Sequence, residues 1–358
     1  MTGPRWASWK PAGQPRAILV REVREGFHMQ HTRLGRTGLQ VSRLCLGTMT
    51  FGYQCDEPTS IQILDRAADA GITFLDTADV YPLGGTIETG GRTEEILGRW
   101  LQGRRHDFIL ATKCWGAMSA RRWDRGNSRK HIMDAVEASL RRLGTDYIDL
   151  YQLHGPDPQT PIDETVRALE DLVRAGKVRY VGCSNFLAYQ VARAIGRSEA
   201  MNVVRFDSVQ PRYNLLFREI ERELLPLCAE EGIGVIPYNP LAGGLLTGKH
   251  SREAGPEEGS RFTLGTAADR YQDRYWHEGM FETVEAIRPL AQEAGMSMAQ
   301  LAVGWVLANP VVTAPIIGAS RPEQLDESVA AAANPLPADL KQRLDELTVD
   351  YRRGDAAR

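Results

Sequence analysis

Short apolar runs alternate with amphipathic stretches of helical period from Cys45 almost to the C-terminus, and this alternation restricts the chain more than any other feature. The runs Cys45–Met49, Ile72–Asp76, Phe108–Lys113, Tyr147–His154, Val178–Cys183, Phe206–Gln210, Ile233–Tyr238 and Val311–Ile317 read as strands. Pro58–Ala70, Arg92–Gln102, Ser128–Leu143, Ile162–Ala175, Leu187–Ser198 and Glu219–Glu231 read as the helices between them. A long polar segment follows, then helices over 281–294, 297–308, 322–333 and 337–349. Ile233–Tyr238 is almost continuously apolar, as a strand buried on both faces should be. Strands and helices in strict alternation build a parallel sheet. Eight such units favour a closed (β/α)8 TIM barrel, with an N-terminal β-hairpin over 31–44 and extra C-terminal helices. An open dinucleotide-binding sheet would carry G-x-G-x-x-G after its first strand. The chain has Leu46–Gly47–Thr48–Met49 there instead.

Length agrees: 358 residues suit one barrel with added segments. The formal net charge of −3 comes without a basic stripe, which argues against nucleic acid as a partner. No long uncharged apolar run argues for a membrane. The five cysteines are scattered and odd in number, so neither a disulfide framework nor a metal site is expected, and a reducing cytoplasm is the simple reading. Residues 1–28 fall in no period and are expected to form a disordered extension, with Met29 the functional start and 29–358 a single barrel domain.

Polar side chains close three successive strands. Asp76 ends the second, with Tyr81 just past it; Lys113 ends the third and His154 the fourth. Singly, each has an ordinary reading: a turn former, a rim phenol, a snorkelling lysine, a hydrogen-bonded histidine. Together, a barrel points them into one mouth. Tyrosine ordinarily titrates near pH ~10, and a neighbouring cation lowers that value. Lys113 is the candidate cation, Asp76 the group that would keep it charged, and His154 the group that would steer a carbonyl oxygen to the phenol. No Ser/His/Asp elbow supplies a nucleophile, so hydride from a nicotinamide is the natural completion. Lys113 as a Schiff-base nucleophile is a competing reading.

The stretches FLDTADVY, FILATKCW, GTDYIDLYQLHGPD, VGCSNF, SVQPRYNLL, GVIPYNPLAGGLLTGK and PIIGASRPEQLDES, taken in order, resemble the aldo-keto reductases from about His31 to Thr348. The resemblance implies a barrel that binds NADPH without a Rossmann domain, and Asp76, Tyr81, Lys113 and His154 as a catalytic tetrad. It implies Ser184, Asn185 and Gln210 on the nicotinamide carboxamide, Tyr238 stacked on the ring, and Gly47, Thr48 and Met49 beside it. Asn239, Pro240, Leu241, Ala242 and Gly243 would wrap the pyrophosphate, although many relatives have Ser where Asn239 stands. Gly318, Ser320, Gln324, Glu327 and Ser328 would hold the adenosine end, although relatives often have Asn at Ser328.

The implied activity is NADPH-dependent reduction of an aldehyde or ketone, a sugar or keto-sugar among the expected substrates. The partner is then a small carbonyl compound, and homo-oligomerisation stays open. The alternative is an NADPH-bound regulatory subunit resembling potassium-channel beta subunits. NADPH is expected over NADH because Lys249, Arg261 and Arg321 fall where a 2′-phosphate would lie, and no acidic residue is read at those positions. Trp115, Trp123, Tyr213, Tyr271, Tyr275 and Trp276 are candidate pocket walls.

Overall fold

The computed structural model describes residues 28–352. The expected extension therefore lies, except for His28, outside the described residues. Two short strands, β1 (His31–Arg33) and β2 (Gln40–Ser42), pair antiparallel as the expected hairpin. Eight strands follow: β3 (Cys45–Gly47), β4 (Phe74–Asp76), β5 (Ile109–Cys114), β6 (Ile148–Leu153), β7 (Val178–Ser184), β8 (Ser208–Gln210), β9 (Gly234–Val235) and β10 (Ile316–Ile317). They form one sheet in the order β10-β3-β4-β5-β6-β7-β8-β9, every neighbouring pair parallel. Its two ends meet: the Thr313 N–H donates to the Val235 carbonyl and the Ile316 N–H to that of Pro237, both at 2.8 Å. The sheet is thus curled into the (β/α)8 barrel.

The strands are shorter than the apolar runs for a backbone reason. Pro237 and Pro315 have no N–H to give a ladder, so Ile233–Tyr238 and Val311–Ile317 contribute two residues each to regular strand. Pro226 acts similarly on the stretch read as one helix. Proline fits only a first turn, so a 3₁₀ turn (Glu219–Glu221) precedes a separate helix, Leu224–Glu231. The segment read as long and polar holds a further helix, Ala268–Tyr275. Elsewhere the end signals act as read: Asp56 accepts from the Thr59 N–H to cap Glu57–Asp69, and Ser128 does the same for Arg129–Leu143.

Strand alternation sorts the core into two layers. Leu46, Leu75, Leu110, Tyr151, Val181 and Val209 point outward into the shell of helices. Cys45, Phe74, Ala111, Leu150 and Ile236 point inward, and the hairpin's Leu34 and Val41 join them to plug the N-terminal end. The plug needs glycine at one place: a Cβ on Gly35 (φ +55°) would stand 2.4 Å from the Gly232 carbonyl oxygen. With that end filled, only the C-terminal mouth is left for a site. All five cysteines are buried and unpaired, and no metal-binding cluster occurs among the described residues. No helix among those residues is long and apolar enough to cross a membrane.

Candidate active site

The alternation that sends Phe74 inward also sends Asp76 inward, two residues nearer the mouth, and it does the same for Lys113 after Ala111. Lys113 is completely buried and its Nζ lies 2.5 Å from Asp76 Oδ1. A second Lys113 proton goes to the Thr77 carbonyl at 2.7 Å. The other Asp76 oxygen accepts from Gln152 at 3.1 Å and Gln210 at 2.9 Å. Burial opposes the ammonium, but the charge of Asp76 and then Tyr81 outweigh it, and the pKa of Lys113 ends above its ordinary value.

Tyr81 and His154 stand over this pair. Their rings meet edge to face at 5.7 Å, and Lys113 Nζ is 5.2 Å from the Tyr81 ring centroid. The expectation that Lys113 would bring the phenol below its usual range is corrected. Burial is the larger effect and pushes Tyr81 up to about 12, with Lys113 pulling against it. His154 is pushed the other way, to about 3, by burial first and then by Lys113 and Arg270. Its imidazole is therefore neutral near pH ~7 and keeps one ring N–H to donate. The arrangement offers a protonated phenol, a neutral imidazole and a fixed ammonium around one small space.

The other expected residues assemble beside it. Gly47 pairs with Asp76 in register, and a Cβ there would reach within 2.6 Å of Ile316. Thr48 donates to the Asp76 carbonyl, and the Met49 carbonyl accepts from Leu83. Ser184 donates to the Gln210 carbonyl, and the Asn185 amide donates to Ser184 and to the His154 carbonyl. Tyr238 donates to Asn185 Oδ1 at 2.8 Å. The Gln210 amide nitrogen is taken up by Asp76 and Gln152, so its oxygen is left to meet a ligand.

The turn Asn239–Pro240–Leu241–Ala242–Gly243 is bent back on itself, with left-handed φ at Asn239 (60°), Ala242 (50°) and Gly243 (71°). Asn239 Nδ2 and Arg261 Nη1 are buried without partners among the described residues. Arg261 lies against Gly318, which in turn faces the Gly47 carbonyl. Two orphaned buried donors, one on this turn and one on the arginine facing Gly318, suit an anionic, phosphate-bearing group. Ser320 donates to Gln324, whose oxygen also takes the Ser320 N–H; Ser328 is buried nearby and Glu327 is exposed.

Two expectations fail. An acidic residue does stand among the cations expected at an adenosine end: Glu257 pairs with Lys249 at 3.1 Å, and Arg321 acts on the same carboxylate. Of the candidate pocket walls, Tyr213 is core, packed on Trp305 and donating to Glu221, while Trp276 packs among Phe262, His250 and Phe281. Trp115 and Trp123 are exposed on the loop after β5. Gln152 escaped the sequence reading. Its position two residues from both Leu150 and His154 was the available signal.

A family model for the aldo/keto reductase family matches residues 43–349. An uncharacterized oxidoreductase of Bacillus subtilis is 42% identical over 89% of this chain and 96% of its own length. A probable voltage-gated potassium channel subunit beta of Arabidopsis thaliana is 40% identical over 85% of this chain and 91% of its own. A versiconal hemiacetal acetate reductase of Aspergillus parasiticus is 32% identical, over 89% and 96%. The match spans Asp76, Tyr81, Lys113 and His154, and the chain belongs to the aldo-keto reductase family of oxidoreductases.

Proposed function

We propose that the protein is an NADPH-dependent reductase of aldehydes or ketones, with sugars and keto-sugars among its substrates, working in the cytoplasm. The observation that carries this reading is the fully buried Lys113–Asp76 pair with the Tyr81 and His154 rings set over it. The cofactor would supply hydride to the carbonyl carbon. Tyr81 gives the proton: its raised pKa keeps it protonated at neutral pH. Lys113, held as an ammonium by Asp76, stabilises the phenolate left behind. Neutral His154 donates to the carbonyl oxygen and turns it toward Tyr81. A lysine whose pKa is raised makes a poor amine nucleophile, which weighs against the Schiff-base reading.

Asn239 through Gly243 would take the pyrophosphate and Tyr238 the nicotinamide face. Arg261, with a free buried donor, is the better-supported grip on a 2′-phosphate, since Lys249 already has Glu257. A second reading rests on the relatives named as potassium channel beta subunits: a cofactor-loaded regulatory subunit. Turnover separates the two. NADPH oxidation should be followed against a panel of aldehydes, ketones and keto-sugars. The Tyr81→Phe protein should bind NADPH normally yet lose at least about a hundredfold in kcat. Arg261→Ala should weaken NADPH about tenfold more than NADH. Near-native turnover without the Tyr81 hydroxyl, or a native preference for NADH, would overturn the assignment.

A further inference from the structure

The proposed reaction leaves three arginines at the mouth unused. Arg270 and Arg274 are four residues apart on the helix Ala268–Tyr275, so they share one face, next to the face that buries Tyr271 and Tyr275. That helix and its approach lie across the mouth. Thr266 N–H donates to the Gly84 carbonyl on one side, and Tyr271 donates to Asn239 Oδ1 at 3.3 Å on the other. The Tyr275 hydroxyl accepts from Asn214 at 3.0 Å. From its face of the helix Arg274 acts on the Tyr238 phenol through its charge. Arg270 acts on His154 through its charge.

The third cation is Arg212, two residues beyond the end of β8. Its guanidinium lies 3.5 Å from the Phe217 ring centroid, and its backbone bridges to Tyr238. Tyr238 donates to Asn185, and Asn185 donates to the His154 carbonyl. The three guanidinium groups are thus gathered along the row Tyr238–Asn185–His154, which runs into the proposed reaction centre. None of them forms an ion pair among the described residues; Arg270 is exposed, but Arg212 and Arg274 are half-buried, and other buried or half-buried arginines of this protein, Arg105, Arg142, Arg205 and Arg218, all have carboxylate partners. The acids of the same helix, Asp269 and Asp273, are exposed. A half-buried, unpaired guanidinium favours a carboxylate, which it can hold through two parallel hydrogen bonds. Across the mouth Trp115, two residues past Lys113, is 41% exposed and offers an apolar face.

Building on the carbonyl-reductase reading, we infer that the substrate is an oxo acid: an aldehyde or ketone with an apolar or aromatic body and a carboxylate seated on Arg212, Arg270 and Arg274. The arginines choose the substrate and position its carbonyl; they take no part in proton or hydride transfer.

The test compares para-carboxybenzaldehyde with its neutral methyl ester, methyl para-formylbenzoate, under NADPH oxidation. The acid should be preferred in kcat/KM by about tenfold or more, the value of one charge-assisted contact. In Arg270→Gln/Arg274→Gln, and separately in Arg212→Gln, that acid-to-ester ratio should fall about tenfold. A binding measurement runs beside it: para-hydroxymethylbenzoate titrated onto the NADP+-loaded protein by fluorescence, with its methyl ester as control. If neither aldehyde is reduced while the acid still binds in an arginine-dependent way, the anion site stands and the reductase reading falls. If both aldehydes are reduced equally well, the reductase reading stands and the oxo-acid inference falls. It falls too if the variants weaken NADPH as much as the acid, for the arginines then grip the cofactor.

Discussion

At Asp76 both carboxylate oxygens are occupied, one by Lys113 and the other by Gln152 and Gln210. Asparagine there removes the carboxylate that pairs with a fully buried ammonium. We expect Asp76→Asn to cost about 3–5 kcal/mol at neutral pH, the usual penalty for stranding one member of a buried pair. The penalty should also shrink as pH rises. Without Asp76 the folded pKa of Lys113 drops below its unfolded value, so the unfolded chain binds the extra proton and stability climbs with pH. Urea unfolding of both proteins at pH ~7 and ~9.5 checks this: a deficit of constant size would show that Lys113 does not depend on Asp76. Asp76, Tyr81, Lys113 and His154 were legible because each closes or follows an apolar run, and a barrel leaves those positions one place to point. Gln152 was not, since a glutamine inside YIDLYQLH announces nothing until Leu150 and His154 are known to face inward with it. The direction of the Tyr81 shift was hidden for a related reason. A sequence displays the charge of Lys113 but not the burial that outweighs it.

The elements were legible where periodicity is long and ends are punctuated, as in Arg129–Leu143, begun by Ser128 and ended by Gly144. They were not where proline trims a ladder, as at Pro237 and Pro315, or where a short helix has little apolar surface. Ala268–Tyr275 reads as polar because its buried face consists of two tyrosines, Tyr271 and Tyr275, whose four-residue spacing was the signal. This helix is seated on the Asn239–Gly243 turn, and that contact can be tested. Gly243 has φ +71°, and a Cβ there would lie 2.7 Å from Tyr271 Cδ1. Gly255 has the same φ with nothing within 4 Å of its added Cβ. Alanine at either position should cost about 1–2 kcal/mol of left-handed strain. Only Gly243→Ala should go further, lowering the thermal midpoint more than Gly255→Ala and weakening NADPH binding. Equal melting shifts with unchanged NADPH affinity in both would mean that the helix is not held by this turn.

The whole molecule stores its pH sensitivity in groups that the barrel has buried with opposite consequences. His154 is held near 3, burial being the main cause, and burial likewise lowers His131 and His250. Unfolded, these histidines regain a pKa of roughly 6.5, so below that pH the unfolded chain binds protons that the native state refuses. Their contribution is complete above about pH 6.5 and is lost on acidification. Asp207 behaves the other way. Burial pushes it to about 6, against the hydrogen bond from the Val181 N–H, and burial also raises the fully buried Asp79. Between about pH 6 and 4 the native state binds the Asp207 proton more readily than the unfolded chain, so this residue gains stability as pH falls. The two effects oppose each other across one window, and single substitutions should separate them. His154 keeps an edge at the mouth, where water screens it, so its share is at most about one proton, or ~1.4 kcal/mol per pH unit. Urea midpoints measured from pH ~7 to ~4.5 should fall less steeply in His154→Gln than in the native protein, and more steeply in Asp207→Asn. What matters is the slope, so any fixed cost of either substitution cancels. Three parallel lines would show that neither group titrates differently on folding, and that the acid sensitivity of the barrel lies in its surface carboxylates instead.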